Sequence, residues 1–337
     1  MLAGPTAVGK SQVALLLAER LRGEIISADS MQVYRGLDIG TAKPSPADRA
    51  RVPHHLIDIC DLTESFHAAQ FARLAHRAVA EIQSRGHLPI LCGGTGLYFK
   101  AFLEGLDEMP TADAKLRAEL EVTPLEKLLE ELRERDPATY RKIDKKNPRR
   151  VIRAVEVIRL TGKPFSARKS RWCETPGEPE DFGVRRHVGA LESGDASPHS
   201  TTGSRVRSPH RIKLCCLTRS PDDLRRRIDT RVGTMFAQGL VDETRELLKH
   251  GLEQNQTAMQ AIGYRQVVEH LRGERNLAET IELVKTRTRQ FAKRQLTWFR
   301  AQKNLEWIEL RPGESTKMVV EMLTYRELDL DDENFGL

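Results

Sequence analysis

Gly4-Pro5-Thr6-Ala7-Val8-Gly9-Lys10-Ser11 fits the phosphate-binding pattern G-x-x-x-x-G-K-S in full, directly after the first three residues of the chain. Glycines at both ends let backbone N–H groups turn inward around phosphate oxygens. Lys10 adds a point charge, and Ser11 offers a hydroxyl to Mg²⁺. The spacing predicts a helix over residues 11–21, with Val13, Leu16, Leu17 and Leu21 on its apolar side, whose positive N-terminal end faces the bound anion. Such a loop ordinarily leaves a buried parallel strand of four to eight residues. Only Met1-Leu2-Ala3 precede it, so the first strand is expected to be clipped, or the natural start to lie upstream.

A parallel sheet follows from the order of the next segments. Glu24-Ile25-Ile26-Ser27-Ala28 reads as a strand ending in Asp29-Ser30, and Leu88-Pro89-Ile90-Leu91-Cys92 as another that runs into Gly93-Gly94-Thr95-Gly96. Between them, Phe71, Leu74, Ala75, Ala78, Val79 and Ile82 recur at helical spacing. Strand, helix and strand in alternation predict an α/β fold, a P-loop NTPase-like parallel sheet flanked by helices. Ligands of such sheets gather outside the carboxyl ends of the strands, which is where the phosphate loop, Asp29 and the Gly93-Gly94-Thr95 turn all fall.

The chain has 337 residues, which suits one large domain with a smaller one. The core is divided in two, over residues 1–110 and 211–312. Residues 111–172 read as a small all-helical insertion domain, with stripes at Leu125, Leu128, Leu129 and Leu132 and at Val151, Ile152, Val155 and Ile158. Asn147-Pro148 caps the second stripe, and Arg149, Arg150, Arg153 and Arg159 give it a basic face. In residues 173–210, Pro, Gly, Ser and Thr dominate and apolar residues are sparse, which predicts a mobile loop. Its irregularly spaced His187, His199 and His210 do not suggest a metal site.

Order returns at residues 212–217 as a strand, followed by Ser220-Pro221 capping a helix with Leu224, Ile228, Val232, Met235, Phe236 and Leu240 in its apolar stripe. A second helix over residues 277–301 has positions 284, 288, 291, 295 and 298 on one face, so its aromatics read as core. Its basic residues, Lys293 and Arg294 among them, are left to meet phosphates. Residues 313–337 read as a tail, acidic and disordered over its last ten residues. The net charge of +6 leans toward a polyanionic partner. Five cysteines without C-x-x-C spacing suggest neither a disulfide framework nor a zinc site. Neither a membrane span nor a signal peptide is present, so a cytoplasmic location is expected.

Several of these segments together resemble the tRNA dimethylallyltransferases of bacterial type, isopentenyl transferases that modify the adenosine 3′ of the anticodon. The matching stretches are residues 4–11, 26–30, 34–44, 93–98, 147–150, 262–266 and 292–300, spanning most of residues 1–172 and 211–310. The clipped first strand and the long 174–210 segment depart from the family pattern. The resemblance implies dimethylallyl diphosphate as donor, bound at Gly4, Pro5, Thr6, Ala7, Val8, Gly9, Lys10 and Ser11, with Mg²⁺ at Ser11 as cofactor. It assigns Asp29 as the base that takes the amine proton, with Thr95 nearby, and Arg231 and Lys10 as partners of the departing charge. Ser30, Met31 and Gln32 are implied to contact the flipped nucleotide of the anticodon stem-loop. Arg149, Arg150, Arg153, Lys293 and Arg294 grip the tRNA in this reading, and the protein acts as a monomer. Asp29 also reads as a Mg²⁺ ligand closing a Walker-B-like strand. A small-molecule kinase or an adenylate isopentenyltransferase would share the phosphate loop, the first turning over ATP without RNA and the second using a free nucleotide.

Overall fold

The computed structural model describes residues 1–105, 113–167, 213–302 and 305–332. The predicted mobile loop at 173–210 lies outside the described residues, as do residues 333–337. Two compact units emerge, one made of residues 1–106 and 212–337 and one of residues 107–211.

The larger unit is built on six strands: β1 (Leu2–Ala3), β2 (Gly23–Ala28), β3 (His54–His55), β4 (Leu88–Gly93), β5 (Cys215–Thr218) and β6 (Glu306–Glu309). They form one parallel sheet in the order β3-β2-β4-β1-β5-β6. The first strand is indeed short. Its two residues still hold the centre of the sheet, because Leu2 pairs with Cys92 on one side and Cys215 on the other. The Met1 carbonyl accepts a further hydrogen bond from Cys215 N–H at 2.9 Å. Alternation along the strands feeds two separate cores. Ala3, Ile26, Leu91 and Cys216 point into one, and Leu2, Ile25, Ile90 and Leu217 into the other. Both faces are therefore apolar and need helical cover, as parallel sheets do.

That cover comes from α1 (Lys10–Leu21), α2 (Pro46–Arg51), α3 (Ala68–Ser84) and α4 (Gly96–Glu104) before the second unit. The second unit consists of α5 (Ala114–Val122), α6 (Leu125–Arg135), α7 (Pro137–Lys142) and α8 (Pro148–Thr161). The chain then returns with α9 (Pro221–Ala237), α10 (Leu240–Lys249), α11 (Tyr264–Leu271), α12 (Leu277–Arg300) and α13 (Thr316–Asp332). In the second unit Leu120, Leu128, Leu132, Val151, Val155 and Ile158 make one core. The Asn147 side chain accepts Arg150 N–H at the start of α8, as its position before Pro148 predicts.

Three sequence expectations change. On α1 the buried residues are Val13, Ala14, Leu15 and Ala18, while Leu16 and Leu17 are only half-buried. Small side chains let this helix lie close to β2 and β4, and α13 packs against it. The tail expected over residues 313–337 is helical from Thr316 to Asp332, which takes in the first five of the ten residues expected to be disordered, and Val319, Val320 and Leu323 are buried in the core that α1 helps to form. On α12 the buried face runs through Thr280, Val284, Ala292, Gln295 and Phe299, and Phe291 is 37% exposed. An i, i+3, i+4 reading fits either of two adjacent stripes, and tertiary packing selects between them.

Candidate active site

The phosphate loop gets its shape from backbone conformations that few residues adopt. Gly4 (φ 152°) has no room for a side chain, since a Cβ there would approach the Leu217 carbonyl to 2.8 Å. Ala7 sits in the left-handed region at φ 64°. The loop carbonyls are taken by protein donors. Arg219 Nε donates to Val8 O at 2.8 Å, Arg227 Nε to Ala7 O at 2.9 Å, and Lys10 Nζ to Pro5 O at 3.2 Å. With the carbonyls held, and with no side-chain cap on α1, the first-turn amides of that helix are left to an anion. Ser11 lies exposed in the same turn.

Lys10 and Arg231 face this loop from different elements. Burial lowers the Lys10 ammonium below the usual lysine range, and the Arg231 charge adds to that effect. Burial likewise lowers Arg231, opposed by Asp29. Two poorly solvated cations held near one carboxylate form a site with excess positive potential, suited to a polyanion. Arg231 also donates to the Thr41 carbonyl at 3.4 Å.

Asp29 follows the end of β2, and its Oδ1 accepts the N–H groups of Met31 at 2.9 Å and Gln32 at 3.4 Å. These bonds fix the carboxylate against its own turn. Thr95, at the start of α4, is tied to the same turn because its hydroxyl accepts Ser30 N–H at 3.1 Å. The Asp29–Ser30 and Gly94–Thr95 segments are thus one structural piece at the ends of β2 and β4. Gln32 braces the loop beyond it, accepting from the Ser27 hydroxyl at 2.9 Å and donating to Thr41 O at 3.2 Å. Met31 is half-buried against a core. Of the three residues that the resemblance gave to the nucleotide, Ser30 is therefore joined to Thr95, while Gln32 and Met31 are engaged by the protein.

A cavity of about 370 Å³ opens beside these groups, with Ser11, Ser27, Gln32 and Cys92 in its wall. Burial pushes the Cys92 thiol up to about 11 and the Cys216 thiol up to about 12, so neither supplies a thiolate at neutral pH. Among the described residues no group of three His, Cys, Asp or Glu side chains could hold a metal ion. An exposed hydroxyl beside free amides instead suits Mg²⁺ bound mainly through substrate phosphates and water.

Sequence reasoning missed several residues that build the site. Arg219, just before α9, and Arg227, in its second turn, hold the phosphate loop. Gln295 of α12 accepts Thr6 N–H at 2.8 Å and donates to Gly94 O at 2.8 Å. Glu243 accepts the amides of Ile39 and Gly40 and the hydroxyl of Tyr264, which holds the loop around Thr41. Lys43, its side chain only 3% exposed, donates to Tyr34 O and to Asp38 and Asp58. Lys43 and Tyr264 were signalled only by their place in the stretches that carried the resemblance, and Gln295 also by its position on the helical face read as core.

The basic residues divide into two groups. Lys293 and Arg294 are exposed on α12, and Arg149 and Arg150 are exposed on α8. Arg153 is engaged with the buried carboxylate of Glu156 at 2.7 Å, and Arg159 pairs with Glu131 and Glu119, each at 2.7 Å. The last two stabilise the second unit and do not form part of an open basic face, a correction to the sequence reading.

The sequence profile of the family described as IPP transferase matches residues 32–302. A tRNA dimethylallyltransferase of Halorhodospira halophila is 45% identical over 306 residues, covering 89% of this chain and 88% of its own. One from Citrifermentans bemidjiense is 42% identical over 313 residues, covering 93% and 92%. Among solved structures, the full-length tRNA isopentenylpyrophosphate transferase of Bacillus halodurans superposes with a TM-score of 0.65 at 36% identity, covering 99% and 98%. A eukaryotic dimethylallyltransferase acting on tRNA gives 0.70 at 27% identity, covering 91% and 72%. By its profile match and by relatives that span nearly its whole length, the chain belongs to the IPP transferase family.

Proposed function

We propose that this protein transfers the dimethylallyl group of dimethylallyl diphosphate to the exocyclic N6 amine of the adenosine 3′ of the anticodon in tRNA, releasing diphosphate. The observation that carries the reading is an anion-binding loop whose Lys10 lies within electrostatic reach of Asp29, a carboxylate on the same turn that the Thr95 hydroxyl holds. The bond between the donor's first carbon and its bridging oxygen breaks, and its electron pair leaves with diphosphate. The bond from N6 to that carbon forms, and the N6 proton passes to Asp29. Charge grows on the departing oxygens, where the loop amides, Lys10 and Arg231 stabilise it. Ser11 would hold Mg²⁺ there, which would supply further neutralisation of the departing charge. Thr95 keeps the Asp29 turn in place and lines the path of the amine.

A stacked adenine cannot reach Asp29, so the base must be flipped out of the anticodon loop. Lys293 and Arg294 are exposed on the first unit and Arg149 and Arg150 on the second, each pair available to tRNA phosphates. The pairing of Arg153 with Glu156 leaves it a smaller part in binding than its sequence position implied.

The reading is tested with radiolabelled dimethylallyl diphosphate, offered with unmodified tRNA or with free AMP. The expected result is label in tRNA alone, lowered by about 10²–10⁴-fold in Asp29→Ala. Label in AMP alone, or ATP hydrolysis without transfer, overturns it.

A further inference from the structure

The two halves of the proposed chemistry lie on different loops. The donor's diphosphate belongs to the phosphate loop after β1, and the acceptor's proton to the Asp29–Thr95 piece at β2 and β4. Nucleophile and carbon must meet in line, so the spacing of the two loops controls the rate. One buried side chain spans both. Gln295, 8% exposed on α12, takes Thr6 N–H on its oxygen and gives an N–H to Gly94 O, each at 2.8 Å.

The chemistry of the bridge is specific. It must accept from one backbone group and donate to the other, which a neutral amide does and which neither a carboxylate nor an ammonium can do. The fit leaves no slack. A Cβ on Gly94 would come within 2.4 Å of Gln295 Nε2, and one on Gly96 within 2.3 Å of the Trp298 ring, one turn along the same helix. The phosphate loop has its own separate support, since Arg219 and Arg227 hold its carbonyls without Gln295. Breaking the bridge should therefore shift the two loops relative to one another while leaving the anion cradle formed.

We propose that Gln295 is a positioning residue, setting the distance between the diphosphate cradle and the acceptor loop. The inference rests on the functional reading above. It also gives α12 a double role, because Lys293 and Arg294 lie in the same turn as the bridge.

The test compares wild type with Gln295→Met and Gln295→Glu. For each, kcat for transfer to tRNA is measured, together with the Kd of inorganic diphosphate by calorimetry, below the unfolding transition of each variant. A displacement on the order of 1 Å costs up to about 10²-fold. The expected result for Gln295→Met is a kcat lower by about 10- to 100-fold with a diphosphate Kd within about threefold of wild type. In Gln295→Glu the ionised carboxylate still accepts from Thr6 but repels Gly94 O, and the protonated form donates as the amide does. Its kcat relative to wild type should rise as pH is lowered, a signature that stability loss alone does not give.

Unchanged kcat in Gln295→Met, or a diphosphate Kd that weakens as much as kcat falls, overturns the proposal. So does a ratio for Gln295→Glu that is flat with pH. If Gln295→Met does not fold, the pH profile of Gln295→Glu decides alone. Wild-type protein that binds diphosphate but transfers nothing to tRNA overturns the functional reading, and this inference falls with it.

Discussion

At the scale of single residues, the site works by keeping charge poorly solvated until substrate arrives. Burial makes the Lys10 ammonium and the Arg231 guanidinium less comfortable as cations than they are in water. A diphosphate would relieve that cost, and it would do so most when its charge is greatest, as the carbon–oxygen bond breaks. Arg231→Ala is expected to lower kcat by about 10²–10³-fold, with Arg231→Lys recovering only part because a point charge lacks the planar fork. Steady-state kinetics on tRNA check this, and an unaltered kcat in Arg231→Ala would remove Arg231 from the transition state. The phosphate loop and the place of Asp29 at the end of β2 were legible in the sequence because both depend on local pattern. Gln295 was not, since its partners Thr6 and Gly94 lie 289 and 201 residues away along the chain. The pairing of β1 with β4 and the packing of α12 against α4 bring them together.

At the scale of elements, the misread pieces are helices whose partners come from elsewhere in the chain. Residues 313–337 read as a tail because the short apolar group Val319, Val320 and Leu323, ahead of the acidic last ten residues, is too brief to announce a helix without α1 beneath it. Leu323→Ala is expected to cost about 2–4 kcal/mol in urea unfolding, the ordinary penalty for emptying a buried leucine site. An unstructured tail would give no change. Strands β2, β4 and β5 were legible because a short apolar run is a local signal where both faces of a sheet are apolar, whereas β3 (His54–His55) and β6 (Glu306–Glu309) carry no such run. Phe291 was misplaced because helical spacing alone does not choose between neighbouring stripes.

At the scale of the whole molecule, charge does two separate jobs. Near the start of β2, Glu24 is 3% exposed and receives Arg85 at 2.8 Å, His55 at 2.6 Å and His87 at 2.7 Å. Burial alone would raise its carboxyl, but these bonds outweigh burial and bring it down to about 2. A folded-state value below the unfolded one contributes stability that is complete above the unfolded pKa, near 4.5, and is lost as pH falls toward 2. The contribution at neutral pH is about 3 kcal/mol. Urea unfolding of wild type and Glu24→Gln should differ by about that amount at pH 7, with the gap shrinking below about pH 4.5 and closing near pH 2. A gap independent of pH would show that packing and not ionisation is responsible. The second job is outward. Replacing Lys293 and Arg294 with Ala should weaken tRNA binding and reduce the salt dependence of log Kd by roughly one for each phosphate no longer neutralised. An unchanged slope would place the RNA elsewhere.

The central claim, that this family member prenylates one adenosine of the anticodon loop, is tested most directly by locating the product. Unmodified tRNA is incubated with the protein, Mg²⁺ and dimethylallyl diphosphate, and the nuclease fragments are weighed by mass spectrometry. The account predicts a gain of one C5H8 unit on the adenosine 3′ of the anticodon, absent with Asp29→Ala. A gain at any other nucleotide, or an unmodified tRNA beside wild-type protein that binds both substrates, would contradict it.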